Sequence, residues 1–117
     1  MKQIKVKILD TNLEAPLMSP KLIRKFEEEK HKVVDKANAA KDISDEATAI
    51  EMQCNAVIEF VDDIFGKGSA RAVFGEETDL LTCLEAFEEL MNMYETQVNP
   101  IVEKFTHNAM LRIEGKK

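Results

Sequence analysis

The chain has 117 residues, of which 44% are hydrophobic and 32% are charged, and this composition predicts one globular domain rather than a disordered chain. No apolar run approaches the roughly 18 residues that a membrane span needs, and the first residues lack the apolar segment and cleavage site of a secretory signal. We therefore expect a protein that has no membrane partner and stays in the cytoplasm where it is made.

The net charge of −6 is distributed unevenly along the chain. Residues 1–36 carry nine basic and six acidic residues, residues 37–99 carry three and fourteen, and residues 100–117 carry four and two. The acidic middle argues against nucleic acid as a direct ligand, because phosphate binding needs a basic face. It favours a basic protein partner or the chain's own ends, while a solvated acidic surface is the alternative interpretation.

The N-terminus predicts a half-buried β-strand over residues 3–9, because apolar and polar residues alternate there. A single strand needs a partner for its backbone groups. A turn at residues 10–12 could return the chain onto residues 13–17, although Pro16 makes that second strand a poor one. The alternative is pairing with a second copy or another protein. The residues assigned to strand pairing are Ile4, Val6 and Ile8.

Two long helices are predicted next. Ser19 followed by Pro20 is a typical helix start, and the first helix is expected to run to about Lys41 with an apolar stripe interrupted at Lys30. Ser44 is the predicted cap of the second helix, whose apolar residues recur in steps of three and four. That stripe comprises Ala47, Ile50, Cys54, Val57, Val61 and Ile64.

A third long helix is predicted to begin at Thr78 or Asp79. Its apolar spacing continues through Pro100, so we expect a kink or break there, with the same face buried on both sides. The polar end, from His107 onward, is expected to fray. The predicted stripe comprises Leu80, Leu84, Phe87, Met91, Tyr94, Val98, Ile101 and Phe105.

Two Phe-Gly pairs punctuate the region between these helices. Gly66 and Gly75 each follow a periodic segment, as a left-handed helix cap does, and Ser69 is the predicted cap of a short helix between them. The predicted fold is therefore mainly α: a small bundle of three long helices and a short connecting helix, with one N-terminal β-strand. We expect one domain over residues 1–117, with an N-terminal arm at 1–18, a helical core at 19–106 and a polar tail at 107–117.

Motifs that would carry chemistry are mostly lacking. The segment at residues 66–69 lacks the upstream glycine of a phosphate loop. Glu28 and His31 have the spacing of half a di-iron site, but no second pair accompanies them. Asp62 and Asp63 are adjacent and so point in different directions. The two cysteines lie in apolar helical segments and are expected to be reduced and buried. We predict no enzymatic activity, no metal and no cofactor.

The central third of the chain resembles small proteins of the tail-morphogenesis modules of phages that infect low-GC Gram-positive bacteria, which are similar to tail assembly chaperones. The resemblance rests on the aromatic and acidic helix end at residues 60–65, the turn at residues 66–68, the stop at residues 74–75 and the segment at residues 83–87. It implies a non-enzymatic protein of the host cytoplasm that binds the tape-measure protein and assists assembly of the tail tube, whose subunit is a second expected partner.

The resemblance and the apolar and acidic pattern together suggest a partner-binding set. Its aromatic members are divided between core and groove, its glutamates steer a basic partner, and a methionine supplies an exposed contact. The set comprises Phe60, Phe65, Phe74, Phe87, Glu85, Glu88, Glu89 and Met93. A second hypothesis is a homo-oligomeric structural or regulatory protein paired through the N-terminal strand and the wide face of the second helix. A ribosomal frameshift near residues 115–117 is a further expectation from the resemblance.

Overall fold

A computed structural model of the protein describes residues 1–115, with side chains described as far as Leu111. The fold is mainly α with a small N-terminal hairpin, which confirms the predicted fold class. Between α4 and α5 the helix passes through one wide π turn, Tyr94–Val98. The elements are β1 (Ile4–Ile8), β2 (Thr11–Ala15), α1 (Pro20–Ala40), α2 (Glu46–Phe65), α3 (Ser69–Phe74), α4 (Leu80–Met93) and α5 (Asn99–Gly115).

The hairpin is one of the two alternatives left open for the N-terminal strand, which pairs within the chain. β1 pairs with β2 in antiparallel register, with Val6 opposite Leu13. The turn consists of Leu9 and Asp10, at φ 46° and 67°, and positive φ at both residues is the mark of a type I′ turn. It therefore lies earlier than the predicted turn at residues 10–12. Because β2 ends at Ala15, Pro16 follows the ladder and removes no hydrogen bond from it.

Side-chain caps begin the long helices. The hydroxyl of Ser19 accepts from the Leu22 N–H at 3.1 Å, as predicted for α1. The cap of α2 is Asp45, not Ser44, because the Asp45 carboxylate reaches the Thr48 N–H at 3.3 Å. Asp79 caps α4 through the Thr82 N–H and hydroxyl, and these hydrogen bonds to the charged carboxylate lower the pKa of Asp79.

The short helix α3 is held to α2 by a carboxylate. Asp62 accepts a hydrogen bond from the Ala70 N–H at 2.8 Å, so Asp62 on α2 supplies the cap that the sequence assigned to Ser69. Ser69 is instead the first residue of α3, and Gly68 precedes it at φ 94°. Gly66 and Gly75 end α2 and α3, which confirms both predicted helix ends. Their φ values of 109° and 77° are positive, but ψ values of 152° and −161° lie outside the left-handed helical region, so the predicted left-handed cap is wrong.

A chain of aromatic rings crosses the core. Phe26 on α1 stacks on Tyr94 at a centroid distance of 4.3 Å and meets the edge of Phe60 on α2 at 4.9 Å. Phe60 in turn lies 5.9 Å from Phe87 on α4 in a T-shaped arrangement. Phe26 and Phe60 are buried. These contacts join three helices and the π turn into one core.

The buried face of α4 differs from the predicted stripe by about one residue. Cys83, Ala86, Leu90 and Met93 face the core, whereas Leu84, predicted to be buried, is 44% exposed. The apolar pattern of α4 is wide enough for either face, and Phe87 of the predicted stripe stays half-buried against Phe60.

Both cysteines are free and buried, as predicted. Burial raises the pKa of the Cys83 thiol to about 12, with the neighbouring Cys54 acting in the same direction and a hydrogen bond to Thr78 opposing. Cys83 is therefore a protonated thiol at neutral pH.

The π turn accommodates Pro100. A proline has no N–H to donate and its ring crowds the carbonyl four residues earlier, whereas in the π turn the Asn99 N–H bonds to the Tyr94 carbonyl five residues back. Val98 is fully buried, but Ile101 and Phe105 are 42% and 69% exposed. The expectation that one face stays buried through Pro100 is therefore wrong.

Helix α5 extends beyond the hairpin and the packed helices α1–α4. It includes residues 107–115, which the sequence analysis assigned to a polar tail. The side chains of residues 101–111 are all exposed. The radius of gyration is 17.0 Å, against about 13 Å for a compact chain of this size, and the longest dimension is 64 Å. Lys116 and Lys117, with the frameshift expectation attached to them, lie outside the described residues.

Removing the aromatic ring of Phe26 should destabilise the fold. For Phe26→Ala we expect a loss of about 3–5 kcal/mol in the free energy of unfolding, because a buried aromatic leaves a cavity and two ring contacts disappear. Equilibrium urea denaturation measures the change. Leu81→Ala, at a residue 69% exposed, is the control and should stay within about 0.5 kcal/mol. Equal effects of the two substitutions would contradict the central role of Phe26.

Glu29 is a charged residue of α1 that lies almost wholly inside, at 4% exposure. Burial raises its pKa, the nearby carboxyl of Asp63 on α2 raises it further, and Lys32, 3.4 Å away, opposes both. For an acid whose pKa is raised by folding, stability falls as the pH increases from the unfolded pKa to the folded one.

Glu29→Gln should therefore raise the melting temperature at pH 7, by about 2–4 °C, and change it little near pH 4. Thermal unfolding followed by circular dichroism at the two pH values measures this. Glu28→Gln, on the exposed side of the same helix, is the matched control and should show no such pH dependence. A destabilised Glu29→Gln protein at pH 7 would mean that the ion pair with Lys32 outweighs burial.

Candidate functional site

The outer face of α4 and the tip of the hairpin enclose a groove of about 680 Å³. We name it the acidic groove. Because Cys83, Ala86 and Leu90 face the core, Glu85, Glu88 and Glu89 of the same helix point to solvent. The acidic groove is lined by Leu9, Glu85, Glu88, Glu89, Met91, Asn92 and Glu95.

One hydrogen bond joins the tip of the hairpin to this groove, and we name this bond the latch. Leu9 lies outside the β1–β2 ladder, so its N–H needs an acceptor elsewhere, and it donates to Glu89 Oε2 at 3.0 Å. Glu89 therefore has a structural partner at the rim. Within residues 1–111, whose side chains the structure describes, we find no ion pair to Glu85, Glu88 or Glu95.

Apolar surface accompanies the glutamates. Met91 is half-buried in the groove, and along the same helix Leu84 and Leu81 are 44% and 69% exposed. Carboxylates beside apolar side chains suit a partner helix that carries both basic and apolar residues. The apolar contacts would supply affinity and the charges would guide the approach.

The predicted aromatic members of the partner-binding set are divided. Phe60 is 0% exposed and belongs to the core, and Phe87 is half-buried against it. Phe65 and Phe74 are also half-buried. Met93, predicted to be an exposed contact, is only 4% exposed, because it faces inward with Leu90.

Phe74 lines a second, smaller cleft of about 350 Å³ between α2 and α3. The structure therefore brings Glu85, Glu88 and Glu89 together as predicted but separates them from Phe74. The other residues of the smaller cleft are Ile58, Asp62, Ala70, Arg71, Gly75, Glu76 and Thr78.

Four groove residues lie outside the predicted partner-binding set: Leu9, Met91, Asn92 and Glu95. Met91 was instead assigned to the buried stripe. Leu9 was placed at the end of a strand, and no Asn-Gly or Asp-Gly pair marks the turn that projects it onto α4. Glu95 follows Glu88 by seven residues, and this two-turn spacing would have placed it on the same face.

No metal or membrane site emerges in the part of the chain that the structure describes. Histidine, cysteine, aspartate and glutamate nowhere form a group of three or more suited to a metal ion there. Glu28 and His31 are both exposed on α1. Among the described helices, none is both long enough and apolar enough to cross a bilayer.

The latch makes a measurable prediction. Glu89→Ala removes the acceptor of the Leu9 N–H, so we expect exchange of the Leu9 amide hydrogen to become about tenfold faster. Hydrogen exchange followed by nuclear magnetic resonance measures the rate. Glu88→Ala, on the same face but without this bond, should leave the Leu9 rate unchanged, and equal acceleration by both variants would exclude a specific latch.

A family model described as a family of unknown function (DUF6673) matches residues 9–116. No curated protein and no solved structure matches the chain.

Proposed function

We propose that this chain, which belongs to the family of unknown function DUF6673, is a non-enzymatic phage tail assembly chaperone. In this role it binds the tape-measure protein in the host cytoplasm, keeps it soluble and assists assembly of tail-tube subunits around it. The observation that carries the proposal is the acidic groove, joined to the resemblance of residues 60–87 to tail assembly chaperones.

The acidic groove suits the chemistry of such a partner. A tape-measure protein presents long amphipathic helices, which aggregate unless their apolar faces are covered. From Glu85 to Glu95 the groove extends about 15 Å along α4 and the start of the π turn, or roughly three turns of a docked helix. Met91 and Leu84 would contact the apolar face of that helix, and Glu85, Glu88 and Glu95 would meet its lysines or arginines.

The second candidate is a homo-oligomeric structural or regulatory protein. One of its two expected contacts is the strand at residues 3–9. One edge of that strand is already hydrogen-bonded to β2 within the chain and cannot pair with a second copy. Helix α2 retains some exposed apolar surface, with Ile50 42% exposed. The acidic groove has no role in this alternative, and for that reason we prefer the chaperone.

Co-expression with the tape-measure protein of the same genome tests the proposal. The wild-type chain should co-purify with it and raise its soluble yield. A double charge reversal, Glu85→Lys with Glu88→Lys, should reduce the co-purified tape-measure protein about tenfold, because like charges would then face each other. Added salt should weaken the wild-type complex, since exposed charges are screened.

The matched control is the double reversal Glu51→Lys with Glu59→Lys, which makes the same change of charge at two exposed residues of α2. It should bind as the wild type does. No co-purification by the wild-type chain would count against the chaperone function. Equal losses in both double variants would indicate that net charge, and not the acidic groove, governs binding.

A further inference from the structure

The outward face of α4 carries a row of exposed residues at the spacing that side-by-side helix packing needs. The row continues into the first half of the π turn, and its members follow one another in alternating steps of four and three residues. This spacing keeps successive side chains in line with a second helix that crosses at about 20°. We name the row the outer seam. It comprises Leu81, Glu85, Glu88, Asn92 and Glu95, all of them exposed.

A second row of the same spacing, on the opposite side of α4, is already packed. It comprises Cys83, Ala86, Leu90 and Met93, which are all buried in the core. The outer seam differs from it in chemistry, because it holds three carboxylates, one amide and a single apolar side chain. An apolar helix on the outer seam would bury carboxylates without partners, which costs free energy. The outer seam therefore suits a helix that brings positive charge.

Apolar side chains border the outer seam on both flanks. Leu84 and Met91 lie along one flank, two helical turns apart, with Leu84 44% exposed and Met91 half-buried. At the other flank the hairpin tip brings the half-buried Leu9 beside Glu89, which accepts the hydrogen bond of the latch. A docked helix meets charge in the middle and apolar surface at both sides, whereas an ordinary coiled coil has the opposite arrangement. The sequence of a helix that fits the outer seam therefore differs from that of a general coiled-coil helix.

We propose that the outer seam binds one helix of another protein, whose facing residues are basic at three defined positions. Opposite Glu85, Glu88 and Glu95 this helix carries lysine or arginine. Opposite Leu81 it carries an apolar residue, and opposite Asn92 it needs no charge. The inference rests on the proposed function, because it specifies which segment of the partner the acidic groove binds.

Charge complementarity selects this occupant. In the part of the chain whose side chains are described, no ion pair engages Glu85, Glu88 or Glu95, so their carboxylates are available to basic residues of a partner. Glu89 is different, because it already accepts a hydrogen bond from the Leu9 N–H at 3.0 Å. A second copy of the chain brings a net charge of −6 and is repelled by an acidic surface. The charges therefore favour a basic helix from another protein over self-association.

The length of the outer seam sets the length of the segment that it binds. From Leu81 to Glu95 the outer seam spans about 21 Å at 1.5 Å per residue, which corresponds to roughly four helical turns. One exposed ion pair changes an affinity by only about two- to fivefold. Discrimination therefore depends on three pairs that form in one register and not on any single pair.

Two labelled helical peptides of identical composition test the register. Each is about 20 residues long, because shorter helices are marginal in water, and each is built on alanine and leucine. The matched peptide places lysines opposite Glu85, Glu88 and Glu95 and a leucine opposite Leu81, and it is made in both chain directions. The shifted peptide carries the same lysines on the other side of the helix. Fluorescence anisotropy at low ionic strength should show that the tighter matched peptide binds the wild-type chain about tenfold more tightly than the shifted one.

Asn92 provides a test by gain of binding. A fourth lysine in the matched peptide, opposite Asn92, should strengthen binding to the wild-type chain by less than about twofold, because no carboxylate faces it. Asn92→Glu should make the same lysine worth about two- to fivefold. Asn55→Glu adds the same charge at an exposed residue of α2 and is the matched control, which should not respond to the fourth lysine. Circular dichroism should show that both variants keep the fold.

Equal binding of the matched and shifted peptides would show that charge alone governs binding and would overturn the proposal. Failure to bind the matched peptide, by a chain that does capture the tape-measure protein, would also overturn it while the chaperone function stands. Binding of the matched peptide by a chain that does not co-purify with the tape-measure protein would support the outer seam and count against the chaperone function. A wild-type dimer that the double variant Glu85→Lys with Glu88→Lys dissociates would assign the outer seam to a second copy and overturn the proposal.

Discussion

The contact of Phe26 with Phe60 and Tyr94 is the interaction on which the rest of the structure depends. Phe26 is the one large aromatic residue of α1 and touches both α2 and the π turn, with centroid distances of 4.9 Å and 4.3 Å. The stripe of α1 is otherwise weak, since Val34 is 46% exposed and Glu29 occupies an inward position. Without Phe26 the pairing of α1 with the other helices would rest on small or half-polar contacts.

The packing of α4 against the aromatic core also determines where the acidic groove lies. Phe87 reaches Phe60 from α4, and Cys83, Ala86 and Leu90 of the same helix face the core, where the small side chains of Cys83 and Ala86 let α4 approach α2. The glutamates of α4 are then placed on the opposite face. Leu9 completes the groove because β1 packs beside α4 and the Leu9 N–H bonds to Glu89. Core packing and the candidate binding surface are thus two faces of one helix.

Local signals explain what could be predicted from the sequence. Ser19, Gly66 and Gly75 act within one turn of themselves, and each was assigned correctly as a helix start or end. The grouping of Glu85, Glu88 and Glu89 followed from helical spacing alone.

The errors concern long-range contacts. The inward position of Met93 goes with the packing of α4 against α2, two helices whose residues are far apart in the sequence. The cap from Asp62 to Ala70 joins two helices, and the turn at Leu9 lacks the usual glycine or asparagine. Spacing within one element cannot reveal such partners.

Pro100 and the π turn before it separate the two surfaces of the long C-terminal helix. An uninterrupted α-helix would carry the face of α4 onward in constant register, but a π turn holds one additional residue and rotates everything after it. Val98 stays in the core, and Ile101 opens onto the cavity at the hairpin base. The apolar stripe of α5 therefore continues the core-facing side of the body beyond the point where the body ends. As a result, the charged surface of α4 and the apolar surface of α5 point in different directions.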